Sequence, residues 1–172
     1  MKGNMDMIQF GGNNEEITKN CPNAPFLLSL EDDPDGRLRI VIALPQRGEE
    51  GEGVDELKKI SCLENKDIQN MLAKSYPVFE DMNNVYEIIF ESYIIYQCRN
   101  ESYTAYDNTE QRKGNYLIEF EKSNLFEYYQ NIIFDFDSDE TKARRKHYGI
   151  YTENHIIDVI SNEVPTIRRP EI

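Results

Sequence analysis

Apolar and polar residues alternate most cleanly near the end of the chain, in His147–Ile160, HYGIYTENHIIDVI. Tyr148–Thr152 and His155–Ile160 are rich in β-branched and aromatic residues, which suit a pleated, half-buried surface. Glu153 and Asn154 between them predict a two-residue loop, Asn tolerating the left-handed conformation such a loop needs. In that register Thr152 faces His155, Ile150 faces Ile157 and Tyr148 faces Val159, all on one apolar side of a β-hairpin. The other side carries Tyr151 opposite Ile156, Gly149 opposite Asp158 and His147 opposite Ile160.

The same reading places the remaining elements. Strands are predicted over Pro25–Leu30 and Arg37–Leu44, joined by the turn Asp33-Pro34-Asp35-Gly36. Leu38, Ile40, Ile42 and Leu44 alternate with Arg39, Val41 and Ala43, so one face of the second strand is buried. Val85–Cys98 reads as one long strand or a bent pair, because its alternation slips near Ser92. Ser102–Tyr106 and Tyr116–Glu121 continue the sheet on either side of a polar turn over 107–115. A short strand is also possible around Met7–Phe10.

Helical spacing occurs in Asp55–Leu63, and after Asn65, where Ile68, Met71, Leu72 and Tyr76 share a face. It recurs after Asn124, which forms a capping box with Glu127 ahead of Leu125, Tyr128, Tyr129 and Ile132. Asp135–Lys146 reads as a charged connection into the hairpin. The expected fold is α+β: a largely antiparallel sheet covered on one side by about three helices and closed by the C-terminal hairpin. Residues 1–24 are expected as a flexible arm, 25–165 as a single domain, and 166–172, marked off by Pro165 and including Pro170, as a tail.

Composition narrows the function classes. A chain of 172 residues with 39% apolar content supports one modest core, and a net charge of −13 would repel nucleic acid and anionic membranes. That charge suits a basic protein partner; oligomeric state is left open. The cysteines, Cys21, Cys62 and Cys98, are odd in number and widely spaced, which indicates neither a disulfide framework nor a zinc site. With no secretion signal and no spanning segment in view, the expected address is the cytoplasm.

Candidate chemistry is sparse. His147 and Asp158 lie diagonally across Gly149, about 7 Å apart at the backbone, and an Asp orienting a His is half of an acid–base pair. Tyr151 stands beside them. The same residues also read as an ordinary ion pair, since no nucleophile accompanies them and no G-x-S-x-G elbow exists. Asp135-Phe136-Asp137-Ser138-Asp139 opens like a calcium loop, but Glu140 and Lys146 stand where glycine and a bidentate Glu are needed. Glu31–Gly36 fails at Pro34 and Ile42, so no metal is expected. The glycine-rich loop 46–54 lacks the lysine of a phosphate cradle, and no cofactor motif is present. Glu87, Glu91, Glu119 and Glu121 could supply paired carboxylates for glycoside chemistry, but the wet face of an antiparallel sheet gives the same pattern and is the preferred reading.

For partner binding the candidates are Tyr93, Tyr96, Arg99 and Tyr103, residue types that anchor interfaces, although tyrosine-rich sheets also pack tyrosine in ordinary cores with the hydroxyl reaching water. Glu49, Glu50 and Glu52, with Asp135, Asp137 and Asp139, are candidates for an acidic rim.

The runs YEIIFESYIIYQCRNESY, YLIEFEKSNLFEYY and KHYGIYTENHIIDVIS, over roughly residues 77–165, resemble small bacterial proteins of uncharacterised or toxin-immunity families. The resemblance implies a cytoplasmic, non-catalytic inhibitor that shields a cell from a toxin, and it transfers no residue position by position. Two functions therefore stand side by side: an acidic immunity-type protein that neutralises a basic toxin domain, and a small hydrolase-like enzyme using His147 and Asp158. The enzyme reading requires a pocket at that face of the hairpin.

Overall fold

The computed structural model describes residues 8–52 and 66–170. Among these, nine strands and four helices form an α+β fold whose strands pair antiparallel throughout. The single sheet expected from the sequence is in fact two. Strands β1 (Phe26–Asp32), β2 (Leu38–Arg47), β3 (Val78–Phe90) and β9 (Thr166–Arg168) form one, in the order β1-β2-β3-β9. Strands β4 (Ile95–Asn100), β5 (Gln111–Lys113), β6 (Leu117–Lys122), β7 (Lys146–Tyr151) and β8 (His155–Ser161) form the other, in the order β4-β8-β7-β6-β5.

The core lies between the sheets. Leu38, Ile40, Ile42 and Leu44 of β2 and Tyr86, Ile88 and Phe90 of β3 pack with Leu117, Tyr148, Ile150, Ile157 and Val159 of the second sheet. Each set alternates along its strand, as a one-sided apolar face requires. The β1–β2 turn forms as its residues dictate: the Asp33 carboxylate accepts the backbone N–H groups of Asp35 and Arg37, and Gly36 takes a φ of +81°. The slip at Ser92 is where the chain leaves β3 in one sheet and enters β4 in the other. The Ser161 hydroxyl donates to the Ser92 carbonyl at 2.9 Å and holds that crossing in place.

The hairpin has the register expected of it, Tyr148 with Val159, Gly149 with Asp158 and Ile150 with Ile157. Residues 8–24, expected within a loose arm, instead pack against the sandwich. Phe10 sets its ring edge-on to Tyr148 at 4.9 Å, and Ile8 and Ile17 are buried, Ile17 within helix α1 (Glu15–Thr18). The tail is corrected in the same way, because 166–168 add β9 to β3. Helix α2 (Lys66–Leu72) forms where the stripe after Asn65 predicts a helix, but Ile68 and Met71 are exposed and Tyr76 lies beyond its end; the Asp55–Leu63 helix lies outside the described residues. Ser102–Tyr106, expected as a strand, is a 3-10 turn over Glu101–Tyr103 followed by irregular chain. Within the expected polar turn, 111–113 form β5.

Helices α3 (Asn124–Tyr129) and α4 (Asp139–Arg144) follow β6. The N-cap of α3 is Ser123, whose hydroxyl accepts the Phe126 N–H at 3.0 Å, one residue earlier than the capping box predicts. The face of the second sheet turned away from the main core is also buried, at Ile118, Phe120, Ile156 and Ile160. On this face stand His147 and Asp158.

Candidate functional site

Alternation along β6, β7 and β8 brings Phe120, His147 and Asp158 to one side of the second sheet, and β4 adds Gln97 opposite Asp158. The diagonal pair forms: His147 Nε2 lies 3.1 Å from Asp158 Oδ1. The other ring nitrogen, Nδ1, lies 2.6 Å from the hydroxyl of Ser123. Gly149 does not leave the expected open space, because a Cβ there would stand 2.9 Å from the Tyr151 ring and 3.1 Å from that of Phe120. Phe120 stacks flat on the imidazole, with centroids 4.0 Å apart.

Asp158 is the hub of this network. Its second oxygen accepts from Gln97 at 2.9 Å and from the Arg99 guanidinium at 2.8 Å. Burial alone would raise its pKa; the hydrogen bond and charge of His147, with Gln97 and Arg99, outweigh burial and hold the carboxyl below its ordinary value. An ionised Asp158 only accepts, so the imidazole donates to it from Nε2, and in the tautomer that carries no second ring proton Nδ1 accepts the Ser123 hydroxyl. The hydroxyl–imidazole–carboxylate order is one that nucleophilic catalysis uses. Here the same hydroxyl also caps α3, and Ser123, His147 and Asp158 are 4%, 3% and 1% exposed. Ser123 was missed in the sequence, where it sits 24 residues before His147 and beside Asn124, which was read as the helix cap in its place.

A cleft of about 320 Å³ opens over this network, with Arg99, His147 and Asp158 at its base and Tyr106, Tyr128 and Tyr151 around it. A second hollow, about 310 Å³, meets His147 together with Ser123, Phe126 and Arg145.

Set against family models, curated proteins and solved structures, the chain matches none.

The partner-binding candidates separate in space. Tyr93 and Tyr96 pack edge-on at 5.1 Å against the inter-sheet core, and both hydroxyls point to Asp32, so they join β1 to β4. The hydrogen bond to Asp32, with burial, pushes the Tyr93 phenol up to about 12. Arg99 turns down to Asp158. Of the four, Tyr103 stands most open to solvent, at 87%. Tyr106 and Tyr128, placed by the sequence on a strand and on the apolar face of a helix, are exposed as well, as are Phe134 and Phe136, which neither pattern included.

The acidic candidates also differ from one another. Asp135 and Asp137 do not form a free rim, because both grip Arg145, which is itself buried and also donates to the Tyr129 hydroxyl at 2.7 Å. Asp139 is exposed in the first turn of α4. Glu52 accepts the Glu49 N–H, and Glu50 accepts from Tyr76, whose ring carries the Arg47 guanidinium at 3.6 Å. Paired carboxylates for glycoside chemistry do not assemble. Glu87 is held by Arg39 and Arg168 on the first sheet, while Glu119 and Glu121 pair with Lys146 and Lys113 on the second.

The Arg145 hydrogen bond holds the Asp135 carboxyl down to about 2 from 3.8. The stabilisation from that pair is therefore complete above about pH 4 and is lost as the pH falls towards 2. Stability measured by urea unfolding is expected to fall more steeply across this window in the wild type than in Asp135→Asn. Parallel profiles for the two chains would remove Asp135 from the account.

Proposed function

We propose that this chain is an acidic, cytoplasmic binding protein of the immunity type, which blocks a basic toxin domain through the surface around the His147 cleft. The observation that carries this reading is the exposed aromatic series Tyr103, Tyr106, Tyr128, Phe134 and Phe136 between residues 103 and 136. Exposed aromatic side chains at such density mark contact surfaces, and tyrosine anchors interfaces at low entropic cost. The overall charge of −13 would steer a basic partner to it. The network beneath supports the same reading, because Asp158, His147 and Ser123 satisfy one another and so stiffen the floor of the cleft that Tyr106 and Tyr128 line.

The test is capture of a partner by the tagged chain from its native cells at low and moderate salt. A stoichiometric basic protein is expected, with affinity that falls as salt rises and falls further when Glu49, Glu50 and Glu52 are reversed to lysine. Capture of nothing at either salt, or an affinity indifferent to salt, would contradict the proposal.

One observation favours a second reading, an acyl-transfer or acid–base site at His147: the Ser123 hydroxyl at 2.6 Å completes a relay with Asp158. That reading expects Ser123 to take up a fluorophosphonate probe in the wild type and not in His147→Ala. An unlabelled wild type would rule out Ser123 as a nucleophile.

A further inference from the structure

On the far side of the Tyr106–Tyr151 ring pair from His147 lies a separate hollow of about 290 Å³. Tyr106, Tyr116 and Tyr151 line it together with Ile156, Glu101 and Glu153. The segments that carry these groups are fixed to the fold. The Glu101 N–H donates to the Asn154 carbonyl at 3.0 Å, and the Glu153 N–H to the Pro25 carbonyl at 2.9 Å. Tyr116 is held in the left-handed region, φ +61°, where an aromatic residue is strained, and the Tyr151 N–H donates to its carbonyl at 2.8 Å.

The charge here is uncommitted. Glu87, Glu119, Glu121, Asp135 and Asp158 each have a cationic partner, whereas Glu101 and Glu153 have no ion pair and no side-chain hydrogen bond among the described residues. The charge of Glu153 reaches Tyr116, whose phenol is raised by burial first and by that carboxylate second. Two carboxylates reject anions, and a lining of three tyrosines suits a weakly hydrated organic cation better than a small metal ion. A planar guanidinium both stacks on such rings and forks to carboxylates, which a lysine ammonium does not do. The chain itself shows the pairing next door, where Arg112 lies over the Tyr106 ring at 5.1 Å.

We infer that this hollow is a subsite for one arginine side chain of the basic partner, its guanidinium stacked on the tyrosine wall and paired with Glu101 and Glu153. The inference rests on the binding reading above for the source of the arginine, and on the hollow alone for its chemistry.

The test is a titration of the isotope-labelled full chain with N-acetyl-arginine methylamide, followed by amide chemical shifts, with the neutral citrulline and the lysine analogues as comparisons. Saturable shifts are expected at 101–106, 116 and 151–156, with a dissociation constant on the order of millimolar for so small a ligand. Binding should be about tenfold weaker for citrulline, weaker for lysine, and about tenfold weaker for Glu101→Gln/Glu153→Gln, whose dispersed spectrum checks its fold. Absent shifts, equal binding of citrulline or lysine, or an unaffected double variant would each overturn the subsite. No partner is used, so a failed titration removes the subsite even where a basic protein is captured, and a failed capture leaves the titration result standing.

Discussion

Asp158→Ala is expected to destabilise the chain by roughly 3–4 kcal/mol, because it leaves the Arg99 charge and the His147 N–H facing an emptied, buried site. The lower part of the usual range for a broken buried pair applies, since the Arg99 side chain is 38% exposed and can recover water. For a chain of this length that corresponds to a melting temperature lower by roughly 6–16 °C. Asp158→Asn keeps one acceptor oxygen and the volume, so its loss should be smaller. Urea and thermal unfolding of both variants measure this. Near-equal, small losses would mean that Asp158 is not the hub of the His147 network, and the stiff floor assumed for the binding surface would go with it.

Arg145→Ala is the second large effect, of order 2–4 kcal/mol. The guanidinium is buried beneath the 133–137 segment and gathers Asp135, Asp137, Tyr129 and Asn162. Without it two carboxylates lose their shared cation and the Tyr129 hydroxyl loses its donor. Arg145→Lys should recover little, because one ammonium cannot reproduce the planar fork that reaches four partners. Faster proteolysis within 131–138 is expected alongside the lower urea midpoint. An unchanged midpoint together with unchanged proteolysis would show that the segment is held by something other than Arg145.

What the sequence disclosed follows from the range of its signals. Strict alternation with a two-residue loop allows one register, since a one-residue slip would turn Tyr148, Ile150, Ile157 and Val159 to the wrong face. The His147–Asp158 pair was therefore legible. Ser123 was not, because its proximity to His147 depends on the β6–β7 pairing, which carries no local signature. The division into two sheets was hidden likewise: the slip at Ser92 is visible, but whether it makes a bulge or a crossing depends on packing with Ile160 and Ser161. Polarity misled in two places. The segment 8–24 reads as loose, yet a few apolar side chains, Ile8, Phe10 and Ile17, suffice to seat it on the core. The run from Asp135 reads as a solvent-facing acidic patch, and a single buried arginine ten residues on turns it into structure. Tyr93 and Tyr96 look like interface anchors by type, but a tyrosine serves equally well with its ring in the core and its hydroxyl on a carboxylate.

Docking of a basic protein on the tyrosine-lined surface beside His147, as proposed, makes Tyr106 an anchor and leaves Tyr93 out of the contact. Its most direct test is the affinity of the captured basic partner, measured by calorimetry, for Tyr106→Ala against Tyr93→Ala. A loss of about tenfold or more is expected at Tyr106, as for an interface anchor, and little change at Tyr93, whose ring packs against the inter-sheet core and whose hydroxyl is held by Asp32. The reverse order, or equal affinities for both variants and wild type, would contradict it.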